Sequence, residues 1–346
     1  MTAPPDAANL ADLKRKLQDH FSDALVTVVG SGHSAALGIP NMRALADELA
    51  REMPGRAGAA LSEWQSVASQ LTGGAGLETA LDELKEDSAL IPEIVAVAAR
   101  FIDAAEKPVI GELLEGRRLA LAELLHHIVF AGDSQIVTTN YDRIVEIAVE
   151  LAGYALDCSF LGAHACRFDP DASRASMRSE VVKKGRDAWL RYRRHVRLWK
   201  PHGSLDWYLR DGEPFRTPYA VGLAPLMITP GTSKYLRGYD RPFDRHREEA
   251  NHAIDAAARL LTIGYGFNDP HLQTHMEMRI RSGVPTLILM RTLTDAAREL
   301  VANGSGVIAL ERRSGGGTLV HMSGDQHEFP DAELWLLDSF IDEVFT

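Results

Sequence analysis

Residues 24–43 read ALVTVVGSGHSAALGIPNMR. Val26, Val28 and Val29 form the short β-branched run that a buried strand needs. The run ends in Gly30-Ser31-Gly32, and Gly38-Ile39-Pro40 follows before a helical pattern starts. Glycines at such a strand end let the backbone approach a phosphate with no Cβ in the way. The helix after them would aim its free N–H groups at that anion. A tight strand-to-helix turn with no ligand would leave the same pattern. The reading therefore depends on whether other segments fit the same site.

Outward from this stretch, residues 44–52, 61–71, 77–84, 91–101 and 113–129 place apolar side chains at helical spacing, with Gly73-Gly74 and Pro108 as punctuation. That is too much helix for one crossover, so a helical subdomain inserted at about 43–130 is expected. Short apolar runs return at 135–138, 196–199, 226–228, 260–263 and 286–290, with a late one at 307–310. Residues 141–151 and 330–345 read as helices, the second amphipathic. Alternating strands and helices give an α/β class: a Rossmann-like, mostly parallel sheet covered by helices.

The 346 residues carry a net charge of −11, which argues against binding DNA or anionic membranes over the whole surface. The start, MTAPPDAANLADLKRK, lacks an apolar signal-peptide core, and no apolar run approaches a membrane span, so a cytoplasmic protein is expected. Cys158 and Cys166 are the two cysteines. With His164 they supply three ligands where a structural zinc site needs about four, so they read as reduced thiols and no metal is expected. One stretch runs against the acidic average. Between Asp171 and Arg197, nine basic residues (Arg174, Arg178, Lys183, Lys184, Arg186, Arg191, Arg193, Arg194 and Arg197) face three acids. A solvated helix face is the plainer reading; a dock for an acidic partner or nucleic acid is the sharper one.

Three later segments end strands with polar groups, where parallel sheets bind ligands. Thr138-Thr139-Asn140-Tyr141-Asp142 offers an amide and a carboxylate, although Asp142 also suits a helix cap. Lys200-Pro201-His202-Gly203-Ser204 frees a histidine, with a pKa near neutrality, to act as general base; a lone histidine is also commonly structural. Ile263-Gly264-Tyr265-Gly266-Phe267-Asn268-Asp269-Pro270 is a second glycine turn, fit for the other half of a dinucleotide. His271 and His275 follow four apart, a metal-binding spacing with no acidic third ligand evident.

In order and type these four segments resemble the SIR2 superfamily. Gly30, Gly32, Ser34, Gly38, Ile39, Pro40 and Arg43 match its GAGxSxxxGIPxFR signature; Thr138, Asn140 and Asp142 match TxNxD; His202-Gly203 matches HG. TTNYDRIVE, KPHGSLDW and IGYGFNDPHL look most like the bacterial SIR2-like NADases of antiphage defence, either HerA-associated or short-Argonaute-associated. The chain departs from sirtuin deacylases in having no cysteine across residues 204–260, where their four-cysteine zinc ribbon falls, and in carrying Met42 and Gly266 for the usual phenylalanine and serine.

The resemblance implies an N-terminal arm (1–21), a SIR2-like NAD-binding catalytic domain (22–310) and a C-terminal hairpin and helix (311–346). It implies NAD+ as substrate rather than cofactor, cleaved to ADP-ribose and nicotinamide, with Asn140, His202 and Asp142 catalytic. Gly30, Ser31, Gly32, Ser34, Gly38, Ile39, Pro40, Arg43, Thr138, Gly264, Tyr265 and Asn268 would bind the nucleotide, Arg43 and Asp142 near the nicotinamide ribose. It further implies a homo-oligomer or a partner, such as a HerA-like ATPase or short Argonaute, as trigger for abortive infection. A zinc-free deacylase, an ADP-ribosyltransferase and a non-catalytic nucleotide sensor are the alternatives.

Overall fold

The computed structural model describes residues 7–85, 87–130, 133–184, 187–219, 221–228 and 241–345. Its centre is a nine-stranded sheet. The strands are β1 (Leu25–Val29), β2 (Asp133–Thr138), β3 (Ala155–Asp157), β8 (His195–Trp199), β11 (Arg259–Ile263), β12 (Thr286–Leu289), β13 (Val307–Arg312), β14 (Thr318–Met322) and β15 (Asp325–Phe329). Their order across the sheet is β15-β14-β13-β12-β11-β1-β2-β8-β3. Every pairing from β13 to β3 is parallel, and β14 and β15 add an antiparallel edge hairpin. The Rossmann-like reading holds. The chain builds outward from β1 through β2 to β8, then returns to the other side of β1 for β11. Strand order therefore reverses between β1 and β11, the place where such sheets open a crevice at their carboxyl ends.

The central strands are continuous apolar runs because both faces are covered. All five residues of β1 are buried. Leu25 and Val29 join one hydrophobic cluster, Val26 and Val28 the other, as a two-residue period requires. Helices Phe243–Ala256, Pro270–Arg281 and Asp295–Asn303 cover the second face. The helices expected at 43–130 cover the first face and share one buried cluster with the strands: Leu49, Trp64, Ile94 and Leu121 lie in the same core as Ile136 and Leu198.

Several boundaries differ from the expectation. Helix Leu90–Leu114 runs through Pro108, because Ile102, Val109 and Leu113 continue its buried stripe across the proline. The chain turns before Ala120–Ile128, splitting the expected 113–129 helix, and the terminal helix is only Leu337–Val344. Residues 226–228 do not join the sheet. Met227 bridges Gly203 instead, and Ser204 N–H and Ile228 N–H pair with Leu226 O and His202 O.

The basic segment is not one helix face. A short helix, Pro170–Ser176, leads into an isolated antiparallel pair, β6 (Arg178–Lys184) and β7 (Asp187–Tyr192), and then into β8. Arg186 lies outside the described residues. A further small sheet holds β4 (Phe160–Leu161), β5 (Cys166–Phe168), β9 (Trp207–Arg210) and β10 (Glu213–Arg216). No helix among the described residues is long and apolar enough to cross a membrane.

Candidate active site

The two glycine turns at the β1/β11 reversal interlock. Gly30 N–H donates to Ile263 O (2.9 Å) and Gly32 N–H to Gly264 O (3.0 Å). A Cβ on Gly30 would overlap the Gly264 carbonyl, and one on Gly32 would lie 2.9 Å from Gly264 Cα. The glycines of the expected phosphate-binding turn thus have a structural use as well. These glycines are required by the approach of one backbone to another, and their N–H groups are already engaged. The helix that follows, Ser31–Ala36, is only six residues long, and its His33 N–H donates to Gly30 O.

A cavity of about 600 Å³ opens beside the paired turns. Asn140, Asp142 and His202 all line it, as do Gly30, Ser31, Ser34, Ile39, Pro40, Tyr265 and Asn268 from the expected binding set. Gly32, Gly38, Arg43, Thr138 and Gly264 do not line it. Arg43 is exposed at the start of helix Met42–Glu52, which removes the expected guanidinium from the wall. Thr138 acts from behind: its hydroxyl donates to Val29 O (2.8 Å) and accepts the Asn140 N–H (3.1 Å).

Asn140 bridges the first two segments. Its Nδ2 donates to Gly30 O (3.0 Å) and to Ser34 Oγ (2.9 Å), which uses both amide hydrogens. Only its Oδ1 then remains for another group. Asp142 is buried and its Oδ1 accepts the Ile144 N–H at 3.3 Å, so the capping role and the wall position coexist.

Buried charges behind the wall hold these loops. Lys200 is fully buried, with Nζ on Asp142 O (2.6 Å) and Glu146 Oε1 (2.9 Å), tying the histidine segment to the asparagine segment. Lys200 N–H donates to His246 Nδ1 (3.1 Å). Burial, reinforced by Lys200 and Arg245, pushes the His246 pKa down to about 3, which keeps that nitrogen an acceptor. Glu106 grips both the backbone N–H and the guanidinium of Arg143, the residue after Asp142. Burial pushes the Glu106 carboxyl up, and Arg143 pulls against that shift. At Gly203, a side chain would overlap the Leu226 carbonyl.

Sequence reasoning missed Glu106, His246, Glu78 and Asp269. Glu106 left a signal: it falls in the buried stripe Ile102–Glu106–Val109–Leu113, where an unpaired acid would be costly. Glu78 and Asp269 line the cavity with Asp142, so its wall holds three carboxylates and, among the described residues, no Lys or Arg. His202 Nε2 lies 2.6 Å from Asp269 Oδ2. Burial, with Asp269 and Glu78 nearby, pushes the Tyr265 phenol well up; burial does the same for Tyr141, whose hydroxyl donates to Ile228 O at 2.5 Å. Both stay neutral at ordinary pH.

Among the described residues, no group of three or more His, Cys, Asp or Glu is placed to hold a metal ion. His164 pairs with Tyr219 and His275 with Asp255, while the side chain of His271 lies outside the described residues. Cys158 and Cys166 are buried free thiols, and burial raises the Cys158 pKa to about 11.

Residues 134–286 match the family model of the SIR2-like domain. The matched span holds the asparagine, histidine and second glycine segments and supports the SIR2 superfamily as the one this chain resembles. The SIR2-like stretch leaves out β1, its glycine turn and the helical insert, and the turn and the insert complete the cavity from outside it. Among solved structures, Sir2Tm bound to a propionylated peptide is similar over 85% of this chain and 90% of that chain, at 14% identity and a TM-score of 0.44. Sir2 bound to acetylated peptide is similar over the same shares, at 13% identity and a TM-score of 0.43. The fold assignment rests on the strand order above. No curated protein matches the sequence.

Proposed function

We propose that this cavity binds NAD+ and hydrolyses its N-glycosidic bond. The observation that carries the reading is that Asn140, Asp142 and His202, from two separate SIR2-like segments, meet on one cavity wall at the β1/β11 reversal. The cavity volume lies within the usual range for small-molecule sites.

In this reading, the bond from ribose C1′ to the nicotinamide nitrogen breaks and its electron pair leaves with neutral nicotinamide. Positive charge passes to C1′. Glu78, Asp142 and Asp269 give that charge an anionic surrounding, a preorganised stabilisation that water could supply only by reorganising. Asn140 Oδ1, its amide hydrogens already engaged, accepts a hydrogen from the attacking water. The water oxygen bonds C1′, and His202 takes the released proton. The products are ADP-ribose, nicotinamide and a proton. Ser31 and Ser34 supply polar groups on the glycine-turn side of the wall.

The same reading extends to NAD+ depletion in antiphage defence, switched on by self-association or by a partner such as a HerA-like ATPase or short Argonaute. The resemblance of TTNYDRIVE and KPHGSLDW to such NADases supports it.

The test is turnover of NAD+ and of a fluorogenic analogue, with no acylated peptide present, by the protein alone and with its genomic neighbour. Asn140→Ala and His202→Ala are expected to lose at least about a hundredfold in kcat with unchanged circular dichroism. A His202→Ala variant turning over NAD+ at the wild-type rate would defeat the assignment. NAD+ consumed only when an acylated peptide is added would favour the deacylase reading.

A further inference from the structure

We infer that Asp269 is a positioning residue for His202: it holds the imidazole so that Nε2–H faces a buried carboxylate and Nδ1 is left to accept a proton from the cavity. The inference rests on the hydrolase reading for its kinetic consequence, but not for the pairing itself.

Three carboxylates line the cavity, and among the described residues only Asp269 comes within ion-pair distance of His202. Nε2 and Oδ2 are 2.6 Å apart, with the two side chains 10% and 6% exposed. The contact between these two atoms does not meet hydrogen-bond geometry. Catalytic hydrogen bonds in ligand-free sites are often misaligned in this way and tighten when substrate orders the ring. Asp142 is otherwise engaged, its Oδ1 on the Ile144 N–H. The remaining titratable groups on the wall are Glu78, from helix Leu77–Leu81, and the neutral phenols Tyr141 and Tyr265.

Both partners sit on short, fixed stretches of chain. His202 O accepts Ile228 N–H at 3.0 Å, and Gly203 N–H donates to Lys200 O at 3.1 Å. Asp269 ends the β11 turn and directly precedes helix Pro270–Arg281, and its carbonyl accepts the Gln273 N–H at 2.8 Å. That position is where an aspartate caps a helix, so the plain alternative is a cap with no part in the chemistry. The two roles separate chemically. Asparagine caps a helix about as well as aspartate, but it carries no charge to hold a proton-accepting histidine in one tautomer. Histidines that act as bases are commonly oriented by such a third group.

The experiment compares wild type, Asp269→Asn, Asp269→Glu, His202→Ala and the double variant Asp269→Asn/His202→Ala. Imidazole ¹⁵N NMR reads the His202 tautomer, and NAD+ turnover reads kcat and KM. Wild type is expected to show the Nε2–H tautomer and Asp269→Asn to lose it at an unchanged melting temperature. Its kcat should fall at least about thirtyfold with KM moving less than threefold, and Asp269→Glu should recover part of that loss. The double variant should be no slower than His202→Ala alone, as expected of residues that act as a unit. An unchanged tautomer in Asp269→Asn, or a kcat within twofold of wild type while His202→Ala is inactive, overturns the inference. Were wild type to leave NAD+ intact both alone and with its genomic neighbour, the hydrolase reading would fall, and the tautomer comparison would still decide the pairing.

Discussion

The two glycine turns look alike in sequence and are used differently in the folded chain. After β1, Gly30 and Gly32 both press against the backbone of the β11 turn. After β11, Gly264 presses back while Gly266 stands on the cavity wall, where the nearest neighbours of an added Cβ are the side chains of Asn268 (3.2 Å) and Thr294 (3.5 Å). The lesson concerns what a glycine is for. A glycine-rich strand end predicts a close approach, but the approaching partner here is another strand end for three of the four. Beside Gly30 and Gly266, the cavity-lining residues of these turns include Ser31 and Ser34 on the first and Tyr265, Asn268 and Asp269 on the second.

The comparison can be broken by substitution. Gly264→Ala should do most damage. Its φ of +60° disfavours any L side chain, and a Cβ would overlap the His33 backbone N. The two costs together come to roughly 3 kcal/mol or more, read as a collapse of the chemical-denaturation midpoint. Gly38→Ala should cost about 1–2 kcal/mol, since φ is +99° but nothing lies within 4 Å of the new Cβ. Gly266→Ala should cost less than about 0.5 kcal/mol in the same measurement, because only side-chain atoms need to shift. Its effect should fall on the KM for NAD+ instead. A Gly266→Ala variant as unstable as Gly264→Ala would erase the distinction between the turns.

Much of this architecture is legible without coordinates. The runs at 135–138, 196–199, 260–263 and 286–290 became parallel strands because a strand buried on both faces must be apolar at consecutive positions, and that leaves a plain trace. Asn140, Asp142 and His202 were legible because their motifs end such strands. The run at 226–228 misled because a short apolar segment buries equally well outside a sheet; Met227 and Ile228 are buried along the histidine loop. Basic residues 171–197 misled because a hairpin with exposed Trp189 and Val181 carries charge at no helical period. Asp269 was hidden in open view, since an aspartate before Pro270 reads as a helix start.

By itself, the sequence determined the α/β class, the strand ends that carry polar groups, and three of the side chains that line the cavity. These are local properties: periodicity, glycine and the residues next to them. The tertiary structure decided which groups meet. Gly32 N–H reaches Gly264 O across more than two hundred residues, Arg143 is gripped by Glu106 from the inserted helix, and Lys200 locks onto Asp142 O. His202 likewise faces Asp269 rather than Asp142. Contacts of this kind depend on strand order and on the cost of leaving a buried charge unpaired. Neither is a property of any short stretch of chain.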